Sequence, residues 1–180
     1  MSPIVYHVAT SVDGFIASPD GSWSAFPTVG DHIADYFASL SDYGTVLMGR
    51  RTYEVGLAHG VTNPYPTLRS IVVSRVLTTP PDPAIEVIGD DVVARIAEVR
   101  RTADRPIYLC GGGQLAATLF GAGLIDALIV KQAPLLLGGG VALFGAAIPS
   151  TRLTLRDARM YPNGTVVSRY AVAERIGEAA

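Results

Sequence analysis

Hydrophobic positions along the chain follow two periods in alternation. "PIVYHVAT" (3–10), "TVLMG" (45–49), "SIVVSR" (70–75) and "PIYLC" (106–110) are short apolar, β-branched runs that suit strands buried on both faces. Between them, "DHIADYFASL" sets Ile33, Tyr36, Phe37 and Leu40 at helical spacing, and Asp31 stands near the start, where negative charge suits the helix dipole. "RRTYEVGL" reads as a helix start, "DDVVARIAEVRR" as an amphipathic helix closing on two arginines, and 114–121 as a further helix. The tail changes character. "IDALIVKQAPLLL", "TRLTLRDARMY" and "GTVVSRYAVA" read as three strands with little helix between them, and the Asn163-Gly164 pair in "YPNGTV" signals a hairpin. An α/β chain of βα units with an antiparallel finish predicts a mixed sheet flanked by helices.

Composition narrows the function. The 180 residues suit one domain spanning 1–180, with 49% hydrophobic and 17% charged positions. A formal net charge of −2 and no basic block leave no footprint for nucleic acid or an anionic membrane. The single cysteine has no partner, and no Cys/His set has metal-ligand spacing, so no metal is expected. The most apolar stretch, 124–148, is interrupted by Asp126, Lys131, Gln132 and Pro134 and is not a membrane span. Without a signal-like N-terminus, a cytoplasmic location is expected.

The chemistry concentrates at strand ends. In "YLCGGGQLAATLFGAG" (108–123), Gly111, Gly113 and Ala116 match G-x-G-x-x-A between a strand and a helix. A doubly wound dinucleotide fold carries that fingerprint at its first βα turn, whereas here several strands precede it, which argues against that fold. A glycine run there brings backbone N–H groups to an anion; a compact turn needing positive φ explains it equally well. Two other strand ends tip the balance. "LMGRRTYE" puts Arg50, Arg51 and Thr52 at a helix start, where cations oppose the dipole unless an anion joins them. "VVSR" puts Ser74 and Arg75 at another strand end, the edge at which open α/β sheets bind ligands.

In this order, "ATSVDGFIA", "MGRRTYE", "VVSR" and "LCGGGQL" resemble the dihydrofolate reductase superfamily, and "SVDGFIA" with "APLLLGGGVALFG" is most similar to the branch holding the reductase domain of riboflavin-biosynthesis deaminase/reductases. The resemblance runs from about residue 4 to 172. It implies a three-layer fold, with a mixed, mostly parallel sheet, an antiparallel C-terminal hairpin and helices on both faces. It also implies NADPH as cofactor and a homodimer. By the resemblance, Ala9 meets the nicotinamide carboxamide through its backbone and Ile16 lies near the ring. Gly49, Arg50, Arg51 and Thr52 hold phosphates, Ser74 and Arg75 surround the ribose and its 2′-phosphate, and Gly111, Gly112, Gly113, Gln114 and Leu115 form the pyrophosphate turn. Arginines by the ribose favour NADPH over NADH, because guanidinium pairs a phosphate bidentately.

Two departures stand out. The acid that dihydrofolate reductases place on the first long helix falls at Ile33, with Asp31 and Asp35 each two residues away and turned about 200° around the helix. The deaminase half of the riboflavin enzymes is absent from these residues.

For a proton donor, Asp13 comes first, with an Asx turn as its alternative, then Asp31, with helix capping as its alternative; water is a third source. Trp23, Phe26 and Tyr36 are candidate walls for a planar substrate, under a lid formed by 18–28. His7 reads as a core histidine and Cys110 as an inert buried thiol. Gly138–Gly140 reads as either a substrate-phosphate contact or a turn. The expected function is an NADPH-dependent reductase of a small planar or ribityl-bearing heterocycle, most like 5-amino-6-(5-phosphoribosylamino)uracil reductase. A non-enzymatic NADP-binding relative, a dihydrofolate reductase-type enzyme and a scaffold protein are the alternatives.

Overall fold

A computed structural model of the chain describes residues 1–176. The elements are β1 (Ile4–Thr10), β2 (Phe15–Ala17), α1 (Asp31–Ser39), β3 (Thr45–Gly49), α2 (Arg50–Ala58), β4 (Arg69–Val73), β5 (Ile85–Ile88), α3 (Val92–Thr102), β6 (Ile107–Gly111), α4 (Gly113–Gly121), β7 (Ala127–Gln132), β8 (Val141–Ala142), β9 (Thr151–Met160) and β10 (Val166–Arg175). Eight of the strands form one sheet in the order β5-β4-β3-β6-β1-β7-β10-β9, and β2 pairs with β8 in a separate two-stranded ribbon. The pairs from β5 across to β7 are parallel, and β10 runs antiparallel to both β7 and β9.

Side-chain alternation along each strand sorts the core into two layers. Ile4 and Tyr6 of β1, Leu47 of β3, Ile71 of β4 and Leu109 of β6 pack with Ile96 and Val99 of α3 and Leu115, Leu119 and Phe120 of α4. On the other face, Val46, Met48, Val72 and Tyr108 pack with Tyr53 of α2, and Tyr36 of α1 leans on the same cluster. Helices therefore cover both faces in three layers. Full burial of a side chain such as Leu47 or Ile71 contributes about 1.5–3 kcal/mol.

Parallel pairing sends the C-terminal ends of β1, β3, β4, β6 and β7 to one edge of the sheet. That edge collects the chemistry. The turn at 161–165 closes β9 onto β10: Gly164 has φ 81°, and its N–H donates to Tyr161 O at 2.9 Å. The strands that sequence periodicity passes over are the short ones. β5 has four residues, β2 three and β8 two, too few for a period to show.

Candidate cofactor-binding edge

Two helices start side by side at this edge. Gly49 precedes α2 and Gly112 precedes α4, and neither helix has a side-chain cap or an acidic residue in its first turn. The first-turn N–H groups of both therefore point out of the helix ends without intrahelical partners. Glycine is what lets these ends meet. A β-carbon on Gly112 would stand 3.5 Å from both Gly49 Cα and Thr52 Oγ1, and Gly112 has φ 98°, open mainly to glycine. Thr52 Oγ1 also lies 3.6 Å from where a Gly111 β-carbon would be. The segment after β8 covers the far side of α4's start: Gly145 N–H donates to Gly113 O at 2.8 Å, and Gln114 Nε2 donates to Gly145 O at 2.5 Å.

The arginines divide. Arg50 is held along its own helix by Glu54, at 2.6 and 2.8 Å. Arg51 and Arg75 are exposed and, among the described residues, have no ion-pair or hydrogen-bond partner. Ser74 is buried, and its hydroxyl accepts the amides of Val76 (3.1 Å) and Leu77 (2.8 Å), so it orders the turn that presents Arg75. Leu115 is a core residue, which leaves only its backbone for a ligand.

Ala9 is the penultimate residue of β1 and Ile16 the middle residue of β2, both half-buried. The ribbon carrying Ile16 is fastened from below. Asp13 carboxylate oxygens accept Leu137 N–H at 3.1 Å and Gly138 N–H at 2.7 Å. Gly140 passes so near Ala17 that a β-carbon would come within 2.1 Å of Ala17 O. Gly138–Gly140 therefore forms a turn in which the Gly138 amide is taken by Asp13 and Gly140 alone is closely packed, while β-carbons on Gly138 and Gly139 would meet open space. The Ser11 hydroxyl first, then these amides, hold the Asp13 carboxyl below the usual carboxylate range, so it is ionised at neutral pH. Asp31 opens α1, exposed, with no hydrogen-bonding side-chain partner among the described residues. Asp35 is committed elsewhere, accepting from Arg159 at 2.5 Å and Tyr161 at 2.6 Å.

Among the described residues, no ring contact joins Trp23 or Phe26 to Tyr36. Trp23 leans on His59 at the far end of α2, with centroids 6.3 Å apart, and Phe26 is buried. Tyr36 instead enters a cluster that its sequence neighbours do not reveal. Its hydroxyl lies 3.0 Å from Tyr65 Oη and 3.1 Å from Tyr108 Oη, and Tyr65 Oη lies 3.1 Å from Cys110 Sγ. Cys110 faces this cluster beside a register shift between β3 and β6, a local bulge at the edge. Burial raises the Cys110 thiol and the Tyr36 and Tyr65 hydroxyls, so all stay protonated. His7 sits behind Tyr36, ring centroids 5.4 Å apart. Burial, then the charges of Lys131 and Arg169, push His7 down to about 3, so its imidazole is neutral. Two depressions of about 250 Å³ each lie away from this edge, on the α4–β10 flank around Phe120 and Thr151. No helix among the described residues is long and apolar enough to cross a membrane.

Comparison with known proteins identifies the family and the fold. The chain is 28% identical over 161 residues to YwjB, an uncharacterised protein of Bacillus subtilis, covering 87% of this chain and 91% of that one. It is 34% identical over 154 residues to the riboflavin biosynthesis protein RibD of Mycobacterium tuberculosis, covering 77% of this chain but only 44% of RibD. A crystal structure of a protein from Shewanella sp. PV-4, described as a riboflavin biosynthesis protein, superposes with a TM-score of 0.82 at 25% identity, covering 97% of this chain and all of that one. A pyrimidine reductase-like protein of Corynebacterium diphtheriae shares the fold at a TM-score of 0.70 and 18% identity, over 96% and 92% of the two chains. A profile of the RibD C-terminal domain matches residues 3–167, and the chain belongs to that family.

Proposed function

We propose that the protein is an NADPH-dependent oxidoreductase that reduces a small planar or ribityl-bearing heterocycle, most like 5-amino-6-(5-phosphoribosylamino)uracil reductase. One observation carries this reading. The glycine-led, acid-free starts of α2 and α4 abut at the edge where the parallel strands end. Such paired N-termini present N–H donors and partial positive charge to a pyrophosphate.

The residues fit the group. Gly49, Arg51 and Thr52 with the amides of Gly112, Gly113, Gln114 and Leu115 hold the phosphates, and Arg50 joins them by releasing Glu54. Arg75, presented by Ser74, meets the ribose 2′-phosphate, and the backbone of Ala9 with Ile16 receives the nicotinamide. A bound reduced nicotinamide supplies the hydride. The protein's own part is orientation and exclusion of water, the latter through the β2–β8 ribbon. Asp13 serves in this reading by fixing the ribbon rather than as acid, since its carboxyl is ionised, and Asp31 is too exposed to be desolvated at the reacting atoms. Water then remains as a proton source.

The outer strand also supports a homodimer. β9 is an edge strand with Leu153, Leu155 and Met160 exposed, and the bulge near Arg169/Tyr170 keeps all three on the α4 side. A second copy covering that strip would remove it from water.

The test is direct. NADPH should quench protein fluorescence with saturation, and a panel of pyrimidine and pterin substrates should include one that drives NADPH oxidation. Saturable binding without any oxidation leaves a non-enzymatic NADP-binding protein, and no response at millimolar NADPH removes the cofactor assignment.

A further inference from the structure

The chain contains one lysine, Lys131. It lies near the end of β7, in register with Ala9 on one side and Val167 on the other. Its side chain therefore shares the α1 face of the sheet and reaches the edge described above. It is half-buried, and Nζ stands 5.3 Å from the centroid of the Tyr36 ring. Among the described residues, no carboxylate or hydrogen-bond acceptor pairs with it.

The reason is visible in its surroundings. The acidic groups on this face are already engaged: Asp35 by Arg159 and Tyr161, and Asp157 by Arg169 at 3.0 Å. His7 is neutral, and Tyr36 and Tyr43 keep their protons, raised first of all by burial. Burial lowers the lysine's own pKa, as expected of an ammonium without a counter-charge. A partly desolvated cation left unpaired costs stability, which an arriving anion offsets.

We propose that the Lys131 ammonium receives the negatively charged oxygen of a planar ring substrate lying against Tyr36, beside the strand end of Ala9. The proposal deepens the reductase reading and rests on it. The flat phenol surface selects a ring, and the point charge selects an oxygen anion at the ring edge. The same charge stabilises electron density that a ring gains on accepting hydride.

A single lysine makes the test clean, because its amine and the Met1 amine are the only primary amines that acetic anhydride can convert to amides. Competitive acetylation read by mass spectrometry, with and without NADP⁺, uses barbiturate as a planar ring anion and inorganic phosphate and acetate as controls. Barbiturate should slow acetylation of Lys131 and leave Met1 unchanged, while phosphate and acetate should slow neither amine. Lys131→Met should weaken barbiturate binding about tenfold, the loss of roughly 1.4 kcal/mol, with NADPH affinity unchanged, and Lys131→Arg should recover part of it. Absence of protection by barbiturate, or equal protection by phosphate, overturns the ring-anion assignment. Loss of NADPH response in the unmodified protein sinks the reductase reading instead, and the two failures are read separately.

Discussion

Gly49 and Gly112 belong to different strand ends, yet a β-carbon on Gly112 would touch the Cα of Gly49 at 3.5 Å. This contact brings the starts of α2 and α4 together. Neighbouring Gly113 is more constrained by space: its β-carbon would fall 2.3 Å from Ala142 O. Gly113→Ala forces two backbones apart and should cost at least about 1–3 kcal/mol, with NADPH binding lost in parallel. Urea unfolding and fluorescence titration of one sample check both, and an unchanged midpoint refutes the contact.

Arg75 is exposed and unpaired among the described residues, at the end of β4. Arg75→Ala should weaken NADPH roughly tenfold, in line with a charge-assisted hydrogen bond, and leave NADH nearly unchanged. Equal losses for the two nucleotides would remove Arg75 from the 2′-phosphate.

The Asp13 carboxylate joins loops 124 and 125 residues apart in sequence. Asp13→Asn keeps an oxygen acceptor and should retain most turnover, whereas Asp13→Ala should expose the segment around Leu137 to proteases. Abolished turnover in Asp13→Asn, with the loop still protected, would restore Asp13 as a proton donor.

His7 is depressed from 6.5 to about 3 in the folded chain, mainly by burial. Below pH 6.5 the unfolded chain binds a proton that the folded chain refuses, so stability falls with acidification through that window. One proton corresponds to about 1.4 kcal/mol per pH unit, or roughly 2 kcal/mol lost between pH 7 and 5. Urea melts at those two pH values should show this slope in the natural chain and a flatter one in His7→Gln.

Leu155 and Met160 are 55% and 78% exposed on the outer strand. Light scattering should give twice the 18.9 kDa of one chain, and Leu155→Glu should shift it toward the single-chain mass. A monomer at micromolar concentration in the natural chain would refute the pairing.

Much of this was legible in the sequence because local chemistry carried it. Asp31 through Leu40 repeats at the helical period, "TVLMG" runs straight into Arg50, and the glycines of 111–113 sit between a strand and a helix, so strand ends and helix starts read directly. What escaped depends on distant partners. Lys131 looks like an interruption of an apolar run until register places it beside Ala9, and the grouping of Tyr36, Tyr65, Tyr108 and Cys110 draws on three separate places: α1, the loop before β4, and β6. Trp23 and Phe26 were grouped with Tyr36 by composition, but folding sends Trp23 to His59 instead. The turn reading of Gly138–Gly140 is supported by the approach of Gly140 to Ala17 and the Asp13 bonds, contacts between segments distant in sequence.

The fastening of Gly140 under Ala17, together with Phe15 paired to Ala142, also makes the two arms of the ribbon mechanically one piece. Neither arm can swing without dragging its mate, so any opening of the ribbon would be all-or-none. Deuterium uptake at the amides of Phe15–Ala17 and Val141–Leu143 should therefore rise and fall in step, despite the long stretch of chain between them.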